Sequence, residues 1–452
     1  MSAPQSRTAI RFGYGLGRAD VPRTGEDALA RLSGSDKMRD RYPVISSTDF
    51  FRNDEILRRA RKSSSAELTQ AAEHAKLQLA TARATAAAQM TARILDSDDP
   101  FRERLTWFWA DHFTARATGF RFRALGPSYV DEAIRPHVAG RFAEMLRAVV
   151  THPLMLIYLD QAGAIGPNSA AARNRRRKSA ALVENLAREV LELHTLGVDA
   201  AYSQQDVEQL AELFSGLDVD FGQGFVFDPR KAEPGVEVIL GQKFGGPLGR
   251  LDHIEDALEM LALHPATVRH LARKLAVHFV SDVPAEDLVD HIAAAYSESG
   301  GELMAAYRAL IEHPAAWGPP AKIKRPMELV ASGLLACGVT GREVVEAKRN
   351  WRRQLIAGAF TSMGQPFLAP PGPDGFPEAS AQWITPQRLA ARIRWAIRLA
   401  KRMRERTGEP SAFLDRALAE NASPRLAWAV TAAEERSQAV ALVLASAEFN
   451  SR

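Results

Sequence analysis

Between Glu184 and Gly197 the chain reads ENLAREVLELHTLG, and this segment concentrates the residues best spaced for chemistry. At about 100° per residue, Asn185, Arg188, Glu189 and Glu192 fall on one arc of a helix. Leu182, Leu186 and Leu193 border that arc on one side and Leu191 on the other. A polar stripe flanked by leucine predicts a helix buried around much of its circumference. Charges so placed are costly unless they pair or bind something. Arg188 and Glu192 are four apart and spaced to pair, which leaves Asn185 and Glu189 to find partners on a separate helix. Glu189 and Glu192, one turn apart, have the spacing to share a cation or to act as general acid and base. The same residues equally make an ion-pair network that ties the helix to its neighbours, and this second reading is preferred. His194 points to the opposite face, and Gly197 stands where a helix stops.

A second candidate lies in Trp107-Phe-Trp-Ala-Asp-His-Phe113. Three large aromatics beside Asp111 and His112 are mostly core material, yet His112 can act as a third catalytic group and Trp109 as a wall. A ligand is expected between the helix bearing Trp109 and His112 and the helix bearing Asn185, Arg188 and Glu189. The turn from Arg230 to Gly235 then forms a rim, with Arg230 as a further binding residue. An anion held by Arg188 competes with a metal held by Glu189. The sequence assigns no metal and no cofactor, and it leaves open whether the protein is an enzyme.

These groups must be positioned by helices. Apolar residues recur at spacings of three and four with Ala, Leu, Glu and Arg between them, the amphipathic helix pattern. Ala66–Leu95 reads as one long Ala-rich helix. Ser97-Asp98-Asp99-Pro100 then caps the helix of Trp107. Further helices are expected over Val130–Thr151, Ser203–Phe214, Ala266–Phe279, Pro326–Leu335, Gly341–Ser362 and Pro386–Glu405, among others. His152-Pro153, His264-Pro265 and His313-Pro314 each follow apolar helical text. Proline suits the first turn of a new helix, so three helix–helix corners are preferred over three histidines of one site.

Two stretches break the pattern. Residues 163–178 are rich in Gly, Asn and Ala and end in Arg173, Arg175, Arg176, Arg177 and Lys178, which predicts a mobile loop before a basic helix entry. Residues 221–244 hold Phe225-Val226-Phe227 and Val236-Glu-Val-Ile-Leu240 around a Pro/Gly turn, which predicts one β-hairpin. Residues 364–383 are rich in Pro and Gly but carry Phe367, Leu368, Phe376 and Trp383. An ordered loop packed across helices is expected there. The expected fold is mainly α: a multi-helix globular bundle with a small inserted β-hairpin, in a single domain over residues 1–452.

Bulk composition narrows the partners. The chain has 452 residues, 46% of them hydrophobic, and a formal net charge of +4. That balance lacks the concentrated positive field of a dedicated nucleic-acid binder, and no aromatic side chains interleave the run at Arg173–Lys178. The single cysteine, Cys337, excludes an internal disulfide framework and cysteine-rich metal sites. No apolar run reaches the length of a membrane span. The first twenty residues show no apolar signal core, so a cytoplasmic location is expected, with a periplasmic one open if a partner supplies export.

The same segments carry a family resemblance. FWADHFT from Phe108 to Thr114, YLDQ from Tyr158 to Gln161, and ENLAREVLELHTLGVD from Glu184 to Asp199 resemble motifs of the bacterial family called domain of unknown function 1800. So do YSQQDVEQLAELFSGL, HPATVRHLARKLAVHFVSDVP, KRPMELV and GQPFLAPPGPDGFPEASAQWIT. The resemblance covers roughly residues 10 to 450. It implies a histidine in the hairpin turn, where this chain has Ala232. It also implies a companion from another uncharacterised family, domain of unknown function 1501, whose members look like sulfatase or phosphatase relatives. Two functional readings follow. The first, preferred, is a helical partner or accessory protein of such a companion. The second is a carboxylate- or metal-dependent hydrolase built on Glu189, Glu192 and His112.

Overall fold

The computed structural model describes residues 5–18, 20–62, 65–117, 119, 121–173 and 182–452. The molecule is mainly α, with two small antiparallel hairpins. Five helices position the candidate site. Helix α1 (Ala66–Asp96) begins at Ser65, whose side chain caps Leu68 N, and its alanines raise no rotamer cost along its length. Helix α2 (Pro100–His112) begins where the Asp99 carboxylate accepts from Arg102 N at 3.0 Å, with Pro100 in the first turn. Helix α3 (Asn185–Glu189) continues into wider, i→i+5 turns over Val190–Thr195. Helix α4 (Pro265–Phe279) and helix α5 (Pro326–Ala336) also start on proline.

Two hydrophobic cores result. The larger gathers Phe101, Leu105 and Trp109 of α2 with α3, α4 and the helices that follow α2. The smaller packs Ile94 and Leu95 of α1 against α5 and the helices of the last hundred residues. Trp107 and Phe367 border both. Helix α2 therefore runs along the seam, with one face in the larger core and another toward the smaller one.

The histidine–proline corners have one shared design. In His152, His264 and His313 the imidazole Nδ1 accepts from the backbone N–H two residues on, at 3.1, 3.2 and 3.2 Å. Each histidine caps a new helical segment whose first residue is proline. The ring nitrogen stands in for the short oxygen side chains that usually cap helices.

Several expectations need correction. The single helix over Val130–Thr151 is interrupted at Pro136 and Gly140, and its second half starts afresh at Phe142. The helix over Gly341–Ser362 is broken into short segments by non-helical backbone at Ala347 and Lys348. The one hairpin over 221–244 is two. Strand β1 (Leu217–Asp220) pairs with β2 (Gly224–Phe227), and β3 (Gly235–Ile239) pairs with β4 (Gln242–Gly246). Phe225–Phe227 and Val236–Ile239 thus belong to separate sheets. Each apolar run found a nearer partner across a tighter turn, which costs less loop entropy.

Residues 163–173 are tied to the connection between the hairpins. Gly166 N donates to Lys231 O at 2.8 Å, Ala171 N to Arg230 O at 2.7 Å, and Glu233 accepts from Asn168 N at 2.8 Å. The basic run expected at Arg175, Arg176, Arg177 and Lys178 lies outside the described residues. Among the described residues no helix is long and apolar enough to cross a membrane.

Candidate functional site

Along α2, Arg104, Trp107, Phe108 and Asp111 repeat at three- and four-residue steps and form one stripe. That stripe lines a cavity of about 50 Å³ at the seam between the cores. A single water needs roughly 10–15 Å³, so the space suits an anion or ligand fragment of several heavy atoms. The start of α5 supplies the opposite wall, with Arg325, Met327 and Glu328. The segment Gln365–Phe376 closes it with Phe367, Leu368 and Phe376, and His278 enters from α4.

The closing segment is held by specific contacts. Gln365 Oε1 accepts from Met327 N at 2.9 Å, and Asp111 Oδ1 accepts from Phe376 N at 2.9 Å. Gly375 has φ +86°, and a Cβ there would stand 2.7 Å from the Asp111 carbonyl oxygen. Only glycine permits this approach of the loop to α2.

Charge in this seam is dense. Arg325 bridges Asp111 and Glu378, with Nη1 2.6 Å from Asp111 Oδ2 and Nη2 2.6 Å from Glu378 Oε1. His278 Nδ1 lies 2.8 Å from the same Glu378 oxygen, and Lys322 Nζ lies 3.6 Å from the other. Glu328 receives Arg104 at 3.1 Å and Arg452 at 2.9 Å. Its Oε2 also accepts from Arg325 N at 3.0 Å, which caps α5.

Burial opposes ionisation of Glu328, but Arg104 and Arg452 outweigh it and hold its pKa at about 2. Glu378 is likewise held well below the usual range, by Arg325 and His278 against burial. For Asp111 burial wins over Arg325 and raises the pKa. Burial pushes His278 down to about 3, so its ring is neutral. Lys324, also buried, falls to about 7, with Arg104 and Arg452 adding to the effect of burial. Cations outnumber anions here: Arg104, Arg325, Arg452, Lys322 and Lys324 stand against Asp111, Asp282, Glu328 and Glu378. Arg104 Nε and Nη2 and Arg452 Nη1 and Nη2 are buried with no protein hydrogen-bond partner.

The residues singled out from sequence occupy the other side of α2. Trp109 is fully buried and donates from Nε1 to the Tyr307 hydroxyl at 2.6 Å. His112 is buried, and its Nε2 donates to His194 O at 3.2 Å, so α2 does touch α3. The contact is made by His194 and not by Glu189. His112, His194 and His270 sit together, with ring centroids 6.3 and 6.2 Å from His112. Burial, reinforced by Lys274, lowers the pKa of all three, His194 to about 3 and His270 to about 4. They are neutral rings in a core, and no cluster of metal ligands exists among the described residues.

The stripe of α3 lies on its outer side. Leu186, Ala187, Val190, Leu191, His194 and Thr195 are buried, while Asn185 is exposed and Arg188, Glu189 and Glu192 are half-buried. The expectation of a mostly encircled helix is therefore corrected. Of the bordering leucines, Leu186 and Leu191 enter the core, while Leu182 and Leu193 are half-buried like the charges beside them. Arg188 does pair with Glu192, at 3.5 Å, and also with Glu184, at 3.0 Å. Glu189 has no hydrogen bond or ion pair among the described residues, contrary to the expected partner on another helix. Burial, then Glu192 and Asp374, raise its pKa to about 7.

Arg230 is exposed and pairs with its neighbour Asp228 at 2.9 Å. No hydrogen bond or ion pair among the described residues brings it to α2 or α3. Ala232 is buried, and a Cβ added at Gly249 would lie 2.3 Å from the Ala232 methyl. Ala232, where the resemblance implies a histidine, is thus packed closely against backbone.

Sequence reasoning missed Arg104, Lys274, His278, Arg325, Glu328 and Glu378. One signal was present: His270, Lys274 and His278 recur every four residues and mark one stripe of α4. Another was Arg325-Pro326-Met-Glu328, a helix start with an acidic third residue. Glu378 had no local signal.

No curated protein and no solved structure matches the chain. The family model described as a protein of unknown function, DUF1800, matches residues 7–451, and the chain belongs to that family.

Proposed function

We propose that this protein binds a small oxyanion, or an organic molecule ending in one, in the cavity between α2 and α5. The carrying observation is the buried excess of cations. Arg104 lines the cavity with Nε and Nη2 lacking any protein partner, and buried guanidinium N–H groups without partners are costly. A carboxylate, phosphate or sulfate oxygen would satisfy them in the forked geometry that arginine favours. Trp107, Phe108 and Phe367 would receive an apolar portion of the ligand. An accessory role beside a sulfatase- or phosphatase-like companion would be one use of such a binder, because both reactions release oxyanions.

Thermal melts at constant ionic strength test this reading. Phosphate, sulfate, acetate and benzoate are each compared with chloride. At least one oxyanion should raise the melting temperature in a saturable way, and Arg104→Gln should abolish the rise. Equal melting temperatures in all five salts would overturn the proposal.

A second reading has one observation in its favour. Glu189, with a pKa raised to about 7 beside Asp374 and Glu192, is suited to general acid–base work at neutral pH. Asp374 belongs to the segment that closes the cavity, so this carboxylate lies across the loop from the anion site. A hydrolase working there would lose activity in Glu189→Gln while keeping oxyanion binding.

A further inference from the structure

The helix Pro386–Arg402 presents an unusual outer face. Its inner side, with Ala391, Trp395, Ala396 and Leu399, is buried in the smaller core. Leu389, Ile393 and Ile397 repeat every four residues on the outside and are about 40% exposed, at 42%, 39% and 42%. At about 100° per residue, Arg394, Arg398 and Lys401 form a cationic stripe directly beside these aliphatic side chains. The helix carries no Asp or Glu, and neither does the adjoining stretch Arg349–Ser362.

Between the two runs lies an open groove of about 330 Å³ lined by Arg353, Arg394 and Arg398 with Gln354, Gly358 and Ser362. Among the described residues the Arg353 side chain bonds only its neighbour Asn350, at 3.2 Å, and Arg398 reaches Gln354 O at 3.4 Å. Arg394 has no hydrogen bond or ion pair among the described residues.

We infer that this face docks on an anionic phospholipid surface, with Leu389, Ile393 and Ile397 entering the headgroup–acyl boundary and the arginine groove receiving a lipid phosphate. An exposed aliphatic stripe flanked by arginine on a helix lying flat is the pattern of interfacial binding. Charge selects the occupant. A second copy docked through the same face would set arginine against arginine. A nucleic acid would match the charge, but it binds such grooves by stacking on aromatic rings, and the exposed stripe here is aliphatic. The inference is independent of the oxyanion cavity, whose lining includes none of the residues used here.

Co-sedimentation with vesicles tests it, using the full chain. Phosphatidylcholine vesicles are compared with vesicles of phosphatidylcholine and phosphatidylglycerol, at low and high salt. Binding to the anionic vesicles alone, weakened by salt, is expected. Each arginine near a charged surface contributes about fivefold in partitioning, so Arg394→Gln with Arg398→Gln should weaken binding roughly 25-fold. Ile393→Ser with Ile397→Ser should also release the protein. All four side chains are exposed, so unchanged melting curves accompany both variants. The inference is overturned if wild-type protein fails to sediment, if it binds neutral vesicles equally, or if both variants bind like wild type. Displacement from vesicles by a short oligonucleotide at equal charge concentration would overturn it in favour of nucleic acid.

Discussion

Arg188 and Glu328 show how little a charge reveals before its surroundings are known. Arg188 is paired twice, yet its side chain is 38% exposed, and both pairs are of the i,i+4 kind. Solvent-screened pairs contribute little, so Arg188→Ala should cost less than about 1 kcal/mol in a urea melt. Glu328 is buried and holds Arg104 and Arg452. Glu328→Gln leaves both guanidinium groups uncompensated and should cost about 3–5 kcal/mol. Glu189 yields a pH dependence of opposite kind. Its pKa rises from 4.5 to about 7 on folding, so the folded state binds the proton more tightly. The stability this confers is complete below pH 4.5 and is lost as pH rises through about 7. The melting temperature of Glu189→Gln should therefore lose less than that of wild type between those two pH values. Parallel curves would contradict the raised pKa.

At the level of the element, caps and close approaches decide where helices begin and where the loop lies. His264 caps α4 through Nδ1. His264→Ala should cost about 1 kcal/mol, and His264→Asn, which keeps an acceptor, should recover most of it. Equal losses in both variants would show that the ring matters for packing and not for the cap. Gly375 presses the closing segment against α2 at a positive φ. Gly375→Ala introduces a clash and a backbone conformation costing about 1–3 kcal/mol. The closing segment should then swing away, seen as faster chymotryptic cleavage at Phe376 and loss of the oxyanion-dependent melting shift.

For the whole molecule, the two hydrophobic cores meet along a seam in which charge has been placed where apolar contact would have sufficed. Arg325 joins Asp111 from 214 residues away, and Arg104 on α2 meets Glu328 on α5. Buried pairs of this kind are weak evidence for stability, and their excess of cations is the reason to assign them a ligand. The seam also predicts acid sensitivity. Glu328 is held at about 2 against 4.5 when unperturbed, so its contribution is present above pH 4.5 and lost as pH falls through about 2. Unfolding free energy measured across that window should fall more steeply in wild type than in Glu328→Gln.

The sequence by itself determined the helices, because helix formation is local. Asp99 and Ser203 mark starts that the structure keeps, and the histidine–proline corners are capped junctions as their turn chemistry required. It also determined the family, since motifs spread over the chain add up. It misjudged Val130–Thr151 and the hairpins, where several local solutions compete and loop entropy settles the outcome. The cavity was beyond it. Leucines flanking α3 and aromatics flanking Asp111 look alike as text, yet one polar stripe faces outward and the other faces a buried seam. Which charge is buried depends on which distant element covers it, and for Asp111 that cover is α5 and the glycine-rich segment ending at Phe376. Only the tertiary structure decides that, because burial is a property of contacts made far apart in the chain.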